Sequence, residues 1–191
     1  MATLQQPLLQ ADGFVLRGWR AGDAESLAAN ADNRNVWTNL RSRFPRPYTA
    51  DVARSWIARC TSGHDRGLQL AIEVDGAAVG GISVDLVTAN APRMGELGYW
   101  LGEAWWGRGI VGRAVRLACP EAFERLDLDV LRAVSREGNT ASLRILERTG
   151  FHLQSRMRRS DRRPGSAVME MVFVLERAAS GAAPRAALAS A

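Results

Sequence analysis

The chain has 191 residues and a mass of 20.8 kDa, enough to bury the core of one domain or of two small ones at most. Hydrophobic residues make up 47% and charged residues 24% of the chain, a globular balance that excludes wholesale disorder. No apolar run approaches the roughly 18 residues that a membrane-spanning helix needs. The first residues also lack the basic and apolar regions of a secretory signal, so we expect a cytoplasmic protein without a membrane partner.

The formal net charge is +5, and all 25 basic residues are arginine. A guanidinium group presents a planar fork to phosphate oxygens, so this composition suits phosphate recognition. A composition bias that replaces lysine by arginine throughout the chain explains the same count, and we favour that explanation. The two cysteines, Cys60 and Cys119, are too few for a disulfide framework or a zinc site, so no metal is expected.

The spacing of apolar residues predicts strands and helices over most of the chain. The expected strands are 14–20, 67–74, 77–87, 96–101, 130–135, 151–158 and 167–176. The expected helices are 22–27, 35–40, 49–61, a long helix from Ile110, and 139–149. Hairpin-linked strands precede helix-separated ones, so we expect one α/β domain with a mixed sheet over residues 14–177. Residues 1–13 are expected to form a loose lead-in, and the alanine-rich tail 178–191 is expected to be disordered.

Local signals predict particular turns and helix ends. Asp75-Gly76 is a strong hairpin signal, Thr49 is a candidate N-cap and Gly150 is expected to end the last helix. Pro120 is expected to kink the long helix, because it removes a backbone donor. The residues expected to face the core are Val52, Trp56 and Cys60 in the third helix, and Ile110, Val111, Ala114, Val115, Leu117, Ala118 and Ala122 in the long helix.

A glycine-rich loop precedes the long helix. Its residues, Gly107, Arg108, Gly109, Ile110, Val111 and Gly112, match the pattern G-x-G-x-x-G. In such loops glycine lets the backbone approach a ligand closely, and the unpaired N–H groups of the helix start face an anion. We therefore expect a phosphate or pyrophosphate at residues 107–113, with Arg108 and Arg113 as charge partners. A connector that binds nothing is the alternative.

A dinucleotide-binding domain is a second way to interpret this loop, and we disfavour it. Such a domain places the loop in its first βαβ unit, followed by an acidic residue at the end of the next strand. Here the loop follows a hairpin, and Asp127 and Asp129 precede the next strand. Glu137 follows that strand but lies too far along the chain. A nicotinamide or flavin ligand is therefore not expected.

Two longer segments resemble a known family: GELGYWLGEAWWGRGIVGRAV and NTASLRILERTGF. The segments LRGWRAGDAESL, FPRPYT and VDGAAVGGISV match the same family in the same order. Together they resemble the GNAT N-acetyltransferase superfamily, in its RimJ/RimL-like branch, over roughly residues 14–176. The resemblance implies a GNAT fold, in which helices flank a twisted mixed sheet whose two central parallel strands splay apart to admit acetyl-CoA.

The resemblance also implies roles for individual residues. The segment Trp106–Arg113 would hold the CoA diphosphate on backbone amides. The backbone of Tyr99, Trp100 and Leu101 would pair with the pantetheine arm, which Asn139 also reaches. Ser142 would lie near the thioester sulfur, and Glu96 is the candidate general base. The implied co-substrate is acetyl-CoA.

Each candidate catalytic residue has a structural alternative. Glu96 is also explained as a strand carboxylate paired with Arg93 or another arginine, and we favour the catalytic role. Asn139 and Ser142 also suit the N-cap and N3 positions of a helix. A serine hydroxyl is a poor acid, so Ser142 suits stabilisation of a thiolate, or proton relay, better than direct proton donation. We leave its general-acid role open.

The sequence favours direct attack of the acceptor on the thioester in a ternary complex. His64 and His152 are the only histidines, and neither has a recognisable spacing to a cysteine, so a covalent cysteine intermediate is not expected. Trp100, Trp105 and Trp106 are candidates for walls of the cleft. The remaining tryptophans, Trp19, Trp37 and Trp56, are expected in the core or along the acceptor cleft.

The acceptor class remains open between a protein N-terminal α-amine and a small amine such as an aminoglycoside. Arg113, Pro120 and the run Met169-Glu170-Met171 depart from the branch pattern, and the last leaves acceptor specificity undetermined. A non-catalytic CoA-binding domain is the alternative function. An arginine-rich nucleic-acid binder is a third class of function, and the absence of a recognisable nucleic-acid-binding motif counts against it. Charge runs are usually solvated, so we interpret the arginine-rich run 156–163 as a solvated hairpin, with docking of an acidic or nucleic-acid-associated acceptor as its alternative. The oligomeric state stays open, a homodimer included.

Overall fold

A split mixed sheet organises the chain in the computed structural model, which describes residues 6–40, 44–62, 67–88, 92–160 and 167–177. The strands are β1 (Leu9–Ala11), β2 (Phe14–Gly18), β3 (Leu68–Val74), β4 (Ala77–Thr88), β5 (Met94–Leu101), β6 (Val130–Arg136), β7 (His152–Ser160) and β8 (Ala167–Glu176). The α-helices are α1 (Ala24–Ala31), α2 (Arg34–Thr38), α3 (Ala50–Thr61), α4 (Ile110–Arg125) and α5 (Thr140–Arg148), with 3-10 turns at Ala21–Asp23 and Glu103–Trp105. His64, the end of the arginine-rich run and the tail 178–191 lie outside the described residues. In the described ranges no helix combines the length and the hydropathy needed to cross a bilayer.

The sheet opens at its one parallel pair among the described strands. The strand order is β1-β2-β3-β4-β5-β6-β8-β7, and β5 and β6 run parallel in the middle. Their pairing extends only from Met94–Val130 to Leu97–Ala133. Beyond that point β5 continues to Leu101 and β6 to Arg136 without pairing to each other. The α/β class, the mixed sheet and the splayed central strands are thereby confirmed.

Helices cover both faces of the sheet. Directly opposite residues of neighbouring strands share a face, so Leu70, Ile82 and Tyr99 point to one side. There α4 and α5 close the larger core, and we call this the α4 side. Ala71, Gly81 and Trp100 point to the opposite side, where α1 and α3 pack, and we call it the α3 side. The split between β5 and β6 therefore connects two differently covered faces.

The predicted turn, N-cap and helix end are confirmed. Asp75 and Gly76 have φ of 49° and 80° and join β3 to β4, since both positions of this tight turn need positive φ. The Thr49 hydroxyl accepts a bond from Val52 N at 3.3 Å and begins α3. Gly150 has φ of 93° just after α5. The long helix α4 continues through Pro120 and ends at Arg125.

Part of the expected loose lead-in forms a strand instead. Leu9–Ala11 pairs antiparallel with Phe14–Leu16 across a turn at Asp12 and Gly13, where Gly13 has φ of 77°. Leu9 and Ala11 pack against the edge of the core. Three residues carry too little apolar patterning to predict a strand, and the pairing with β2 supplies the stability that they lack alone.

The buried faces of two helices match the expected stripes only in part. In α3 the buried residues are Ala53, Ile57 and Cys60, whereas Val52 and Trp56 are half-buried beside a cleft. In α4 Val111 and Leu117 are likewise half-buried, and Cys119 joins the core. The 3.6-residue period defines an apolar stripe, but the packing of each helix on the sheet decides which edge of that stripe is covered.

A buried ion network joins β2, the start of α1 and β3. Arg17 is 3% exposed, and its Nη1 and Nη2 each donate to an oxygen of Asp23 at 2.7 Å. Arg17 Nε donates to Glu73 Oε2, and Arg20 N donates to Asp23 at 2.8 Å. Burial raises the pKa of Asp23, but the bonds from Arg17 and Arg20 outweigh it and leave that pKa below its ordinary value.

Candidate active site

A cleft of about 1160 Å³ opens at the split between β5 and β6 and reaches both sides of the sheet. Of the residues predicted for the site, it is lined by Glu96, Tyr99, Trp100, Leu101, Trp106, Gly107, Gly109, Ile110, Val111, Gly112, Asn139 and Ser142. Segments far apart in the sequence thus meet around one opening. Arg108 and Arg113 are the predicted site residues that do not line it.

The glycine loop presents a helix start to the cleft. Gly107 and Gly109 have φ of 76° and 69°, a region that glycine adopts without the strain that other residues incur. Gly109 is the N-cap of α4, and no side chain caps the helix. The first N–H groups of an α-helix have no helical acceptor, and here Ile110, Val111 and Gly112 line the cleft. This arrangement suits a diphosphate, which the helix dipole also favours.

The two arginines of the loop are held against their own chain. The Arg108 guanidinium lies 4.7 Å from the centre of the Trp105 ring and donates to Ala104 O at 3.1 Å. Arg113 lies 5.1 Å from the centre of the Phe14 ring and donates to Asp12 O at 2.6 Å. Their predicted role as charge partners of a phosphate at the cleft is therefore not supported by their placement.

Arg116 lines the cleft instead. It stands four residues after Gly112 on α4, so it lies on the same face of the helix as the loop amides. Arg116 Nη2 donates to Arg148 O at 3.3 Å, and Arg148 lines the same cleft. Sequence analysis missed Arg116, although its helical spacing from Gly112 is a signal that points to it.

The backbone of β5 faces the opening at alternate residues. Gly102 N–H donates to Val79 O of β4 at 2.8 Å. Residues that hydrogen-bond to the partner strand alternate along an antiparallel pair. The backbone N–H and C=O of Trp100 therefore point to β4, and those of Tyr99 and Leu101 point to the gap between β5 and β6. Leu101 O accepts from Trp106 Nε1 at 2.8 Å. Of the backbone groups predicted to pair with pantetheine, those of Trp100 are taken by β4 and the Leu101 carbonyl by Trp106. The groups that remain for this pairing are those of Tyr99 and the N–H of Leu101.

The Tyr99 and Ser142 hydroxyls form a pair on the α4 side of the gap. Tyr99 Oη lies 2.8 Å from Ser142 Oγ, and Asn139 Oδ1 accepts from Ser142 N at 3.1 Å as the N-cap of α5. Burial raises the pKa of Tyr99 to about 12, against a smaller opposite effect of the Ser142 bond. The phenol is therefore protonated at neutral pH. Sequence analysis assigned Tyr99 only a backbone role, although strand alternation directs its side chain towards α5.

Glu96 lies on the α3 side of the same strand. Arg132, its parallel partner on β6, donates to Glu96 Oε2 from Nε at 3.1 Å and also from Nη2. Arg93, the partner named in the sequence analysis, instead donates to Asp127 and to Leu126 O. The expected ion pair thus exists with a different arginine, and the carboxylate still lines the cleft. Because side chains alternate along a strand, Glu96 and Tyr99 flank the opening from opposite faces.

Aromatic side chains enclose the α3 side of the cleft. Phe44 and Tyr48 stack with ring centres 4.7 Å apart, and Phe44 lies 6.3 Å from Trp100. The tryptophans that line the cleft are Trp19, Trp56, Trp100, Trp105 and Trp106. Trp37 does not line it and lies beneath the guanidinium of Arg46 at 3.3 Å. Gly81, Ser83 and Gly98 also line the cleft, and the indoles of Trp19 and Trp100 pack over Gly81.

Neither cysteine lines the cleft. Cys60 and Cys119 are buried in the two cores, and burial raises the pKa of Cys119 to about 12. His152 is exposed on β7 and lies outside the cleft lining. Among the described residues, the cleft lining therefore holds no thiol beside an imidazole.

The sheet is split at a parallel pair, the helix start at the opening has no side-chain cap, and polar groups flank the split. This arrangement is expected of an acyltransferase that takes its acyl group from a CoA thioester. The family model of the acetyltransferase (GNAT) domain matches residues 14–152. The chain therefore belongs to the GNAT acetyltransferase family, and it is an acetyl-CoA-dependent N-acetyltransferase. The fold and family implied by the sequence motifs are confirmed.

Three relatives show the extent of the similarity. YjcK of Bacillus subtilis (strain 168), named provisionally as an N-acetyltransferase, is 27% identical over 159 residues, which cover 80% of this chain and 88% of YjcK. YdaF of the same organism, named provisionally as a ribosomal N-acetyltransferase, is 33% identical over 132 residues, covering 67% of this chain and 69% of YdaF. The structure of Mycobacterium smegmatis RimJ in complex with CoA-disulfide matches with a TM-score of 0.77 at 25% identity, over 89% of this chain and 85% of RimJ.

Proposed function

We propose that this enzyme acetylates a protein N-terminal α-amine by direct attack on acetyl-CoA within a ternary complex. The observation that carries the proposal is the placement of Glu96 on one face of the split sheet and of the Tyr99–Ser142 pair on the other. A candidate base and a proton-donating pair then lie on opposite faces of the sheet beside the same opening. The provisional naming of YdaF as a ribosomal N-acetyltransferase favours a protein acceptor over a small amine.

In this proposal the α4 side holds the co-substrate. The amides of Ile110, Val111 and Gly112 bind the diphosphate, with Arg116 as the nearest cation on the same helix face. The pantetheine arm continues along the gap-facing backbone of Tyr99 and Leu101, past the Asn139 side chain. The thioester then reaches the level of the split, where the cleft opens to the α3 side.

The acceptor enters from the α3 side. A carboxylate is a weak base, so Glu96 suits an acceptor of which a sizeable fraction is already neutral. With an α-amino pKa of about 7.8, roughly one amine in seven is neutral at pH 7, against about one in 2,500 for a lysine-like amine. This difference favours an α-amine. Glu96 removes the proton that the nitrogen loses, directly or through a water molecule.

Transfer forms the amide bond as the carbon–sulfur bond breaks. A gap-facing backbone N–H of β5 that does not pair with the pantetheine arm stabilises the developing oxyanion. Ser142 Oγ donates to the departing sulfur and is itself hydrogen-bonded to Tyr99, so the pair supplies the proton that the thiolate gains. One proton leaves the nitrogen and one reaches the sulfur, and no covalent enzyme intermediate is needed.

The test compares two peptides of one sequence, one with a free α-amine and one with a blocked α-amine and a free lysine side chain. Thiol release with acetyl-CoA measures transfer, and mass spectrometry locates the acetyl group. We expect transfer to the α-amine, and Glu96→Gln is expected to lower kcat by about 10² to 10⁴-fold. Glu124→Gln, which changes an exposed carboxylate on α4, is the matched control. Preference for the lysine peptide, or for an aminoglycoside, would contradict the proposed acceptor.

A further inference from the structure

The Glu103 carboxylate joins the start of α2 to the 3-10 turn that precedes the glycine loop. Asn33 Nδ2 donates to Glu103 Oε2 at 2.8 Å, and Asn35 Nδ2 donates to Glu103 Oε1 at 2.7 Å. We call these two bonds the Glu103 clasp. Beside it the Asn30 side chain packs so closely on Gly102 that a Cβ at Gly102 would collide with it. The clasp thus joins segments about seventy residues apart at a tightly fitted contact.

On one side the clasp holds a wall of the acceptor cleft. The helix α2 has only five residues, and so short a helix is not stable without tertiary support. Asn33 Oδ1 accepts from Asn35 N at 2.8 Å and from Val36 N at 3.2 Å, so the same side chain caps α2 and donates to Glu103. Val36 lines the cleft, as do Asn39 and Leu40 just after the helix.

On the other side the clasp holds the approach to the glycine loop. Glu103 begins a 3-10 turn in which Trp106 N donates to Glu103 O at 3.1 Å. The Trp106 indole donates back to Leu101 O at 2.8 Å, and Gly107 follows directly. The position of Glu103 therefore sets the direction in which the chain enters the diphosphate-binding loop.

We propose that Glu103 is a positioning residue that couples the two halves of the active site, so that CoA bound at the glycine loop holds α2 in place as the wall of the acceptor cleft. This inference rests on the proposed binding of the diphosphate by residues 107–112. A purely structural Glu103 would not link the two sites. The proposed coupling instead predicts that CoA slows amide exchange in α2, on the acceptor side, only while the clasp is intact.

Charge reversal and rescue test this coupling. Asn33→Asp keeps the capping oxygen but replaces the donor with a second carboxylate, which repels Glu103. Adding Glu103→Gln to that variant restores a donor to the new carboxylate and keeps an acceptor for Asn35. Glu103→Ala removes both bonds without touching the cap. Gln154→Glu adds the same charge at an exposed position of β7 and serves as the control.

Two measurements apply to every variant: the Kd of CoA by calorimetry, and amide hydrogen exchange of peptides covering residues 34–38 with and without CoA. In the wild type and the control we expect CoA to slow exchange in α2. In Asn33→Asp and Glu103→Ala we expect this protection to vanish and the Kd to rise about fivefold, because solvent exposure leaves these hydrogen bonds only a modest net contribution. The double variant is expected to regain both.

The outcomes separate this inference from the function on which it rests. A wild type that does not bind CoA would overturn the proposed function itself. CoA binding with equal protection of α2 in the wild type and in Asn33→Asp would overturn the coupling alone. Loss of protection in Asn33→Asp that the added Glu103→Gln fails to restore would also overturn it, because the cap and not the clasp would then be responsible.

Discussion

Tyr99 Oη lies 2.8 Å from Ser142 Oγ, and the two residues come from the central strand β5 and from α5. The backbone N–H of Ser142 is fixed by Asn139, so the hydroxyl is held by both elements. Ser142 is 9% exposed, and the partly buried Tyr99, whose pKa burial raises to about 12, stays protonated at neutral pH. In the proposed mechanism the pair forms a short proton path that ends at the opening of the sheet.

Because the two hydroxyls share one path, their substitutions should not be additive. We expect Ser142→Ala and Tyr99→Phe each to lower kcat by about 10²-fold, with little change in the Kd of acetyl-CoA. The double variant should lose scarcely more than either single variant. Steady-state thiol release measures kcat, and calorimetry measures binding. Losses that multiply in the double variant would show that the two groups act independently.

Substitutions of the loop glycines should affect the stability of the fold and the binding of acetyl-CoA differently. Gly112 lies inside α4 with open space around its Cβ position, so Gly112→Ala should raise the free energy of unfolding by about 0.5 to 1 kcal/mol. The added methyl stands among the amides that face the cleft, so acetyl-CoA should bind more weakly. Gly109→Ala, at φ of 69°, should cost about 1 to 2 kcal/mol of stability.

Gly22→Ala is the control for this pair, because its Cβ position is also open and lies outside the cleft lining. It should leave acetyl-CoA binding unchanged. Urea unfolding and calorimetry give the two quantities. If Gly112→Ala binds acetyl-CoA as tightly as the wild type, the diphosphate does not sit on these amides.

The tyrosines give a direct spectroscopic test of burial. The chain has 2 tyrosines, Tyr48 and Tyr99, and burial raises the pKa of each to about 12. Absorbance of the native protein at tyrosinate wavelengths should therefore titrate near 12, and in urea near 10. Tyr48→Phe isolates Tyr99. A native transition near pH 10 in that variant would show that Tyr99 is not buried against α5.

The same shifts predict how stability depends on pH. Below about pH 10 both tyrosines are protonated in the folded and unfolded states, so they contribute no pH dependence there. Above pH 10 the unfolded chain loses protons that the folded chain keeps until about pH 12. The stability should therefore fall between these values, by about 2 to 3 kcal/mol per tyrosine. Urea unfolding at a series of pH values measures the decline.

Because Arg17 is buried, substitution of its partner Asp23 should lower the free energy of unfolding strongly. Asp23→Ala leaves a nearly inaccessible guanidinium without its bidentate partner, so we expect a loss of about 3 to 5 kcal/mol. The pKa of Asp23 is lowered in the folded state, so its contribution is present above the ordinary pKa and is lost as the pH falls below it. Glu121→Gln, at a more exposed pair with Arg125, should cost less than about 1 kcal/mol. Equal effects of the two substitutions would contradict the ranking by burial.

Features that depend on a few adjacent residues could be predicted from the sequence. Asp75 and Gly76 define a turn because both adopt positive φ, and Thr49 begins a helix because its hydroxyl accepts a nearby N–H. The glycine loop was located correctly for the same reason. The sequence did not predict β1, whose three residues are stabilised by pairing with β2. Nor did the sequence show that Arg116, and not Arg113, lines the cleft. Arg113 is held by Asp12 O and the Phe14 ring, and these contacts depend on how α4 packs against the N-terminal strands.

By itself, then, the sequence determined the order of strands and helices from β2 onwards, several of the turns that join them, and the family to which the chain belongs. Only the tertiary structure decided which distant side chains meet. Glu96 pairs with Arg132 because the two strands run in parallel register, and Tyr99 meets Ser142 because α5 packs on the face to which the strand directs it. Strand register and helix packing arise from the whole core, so no local pattern of residues encodes such contacts.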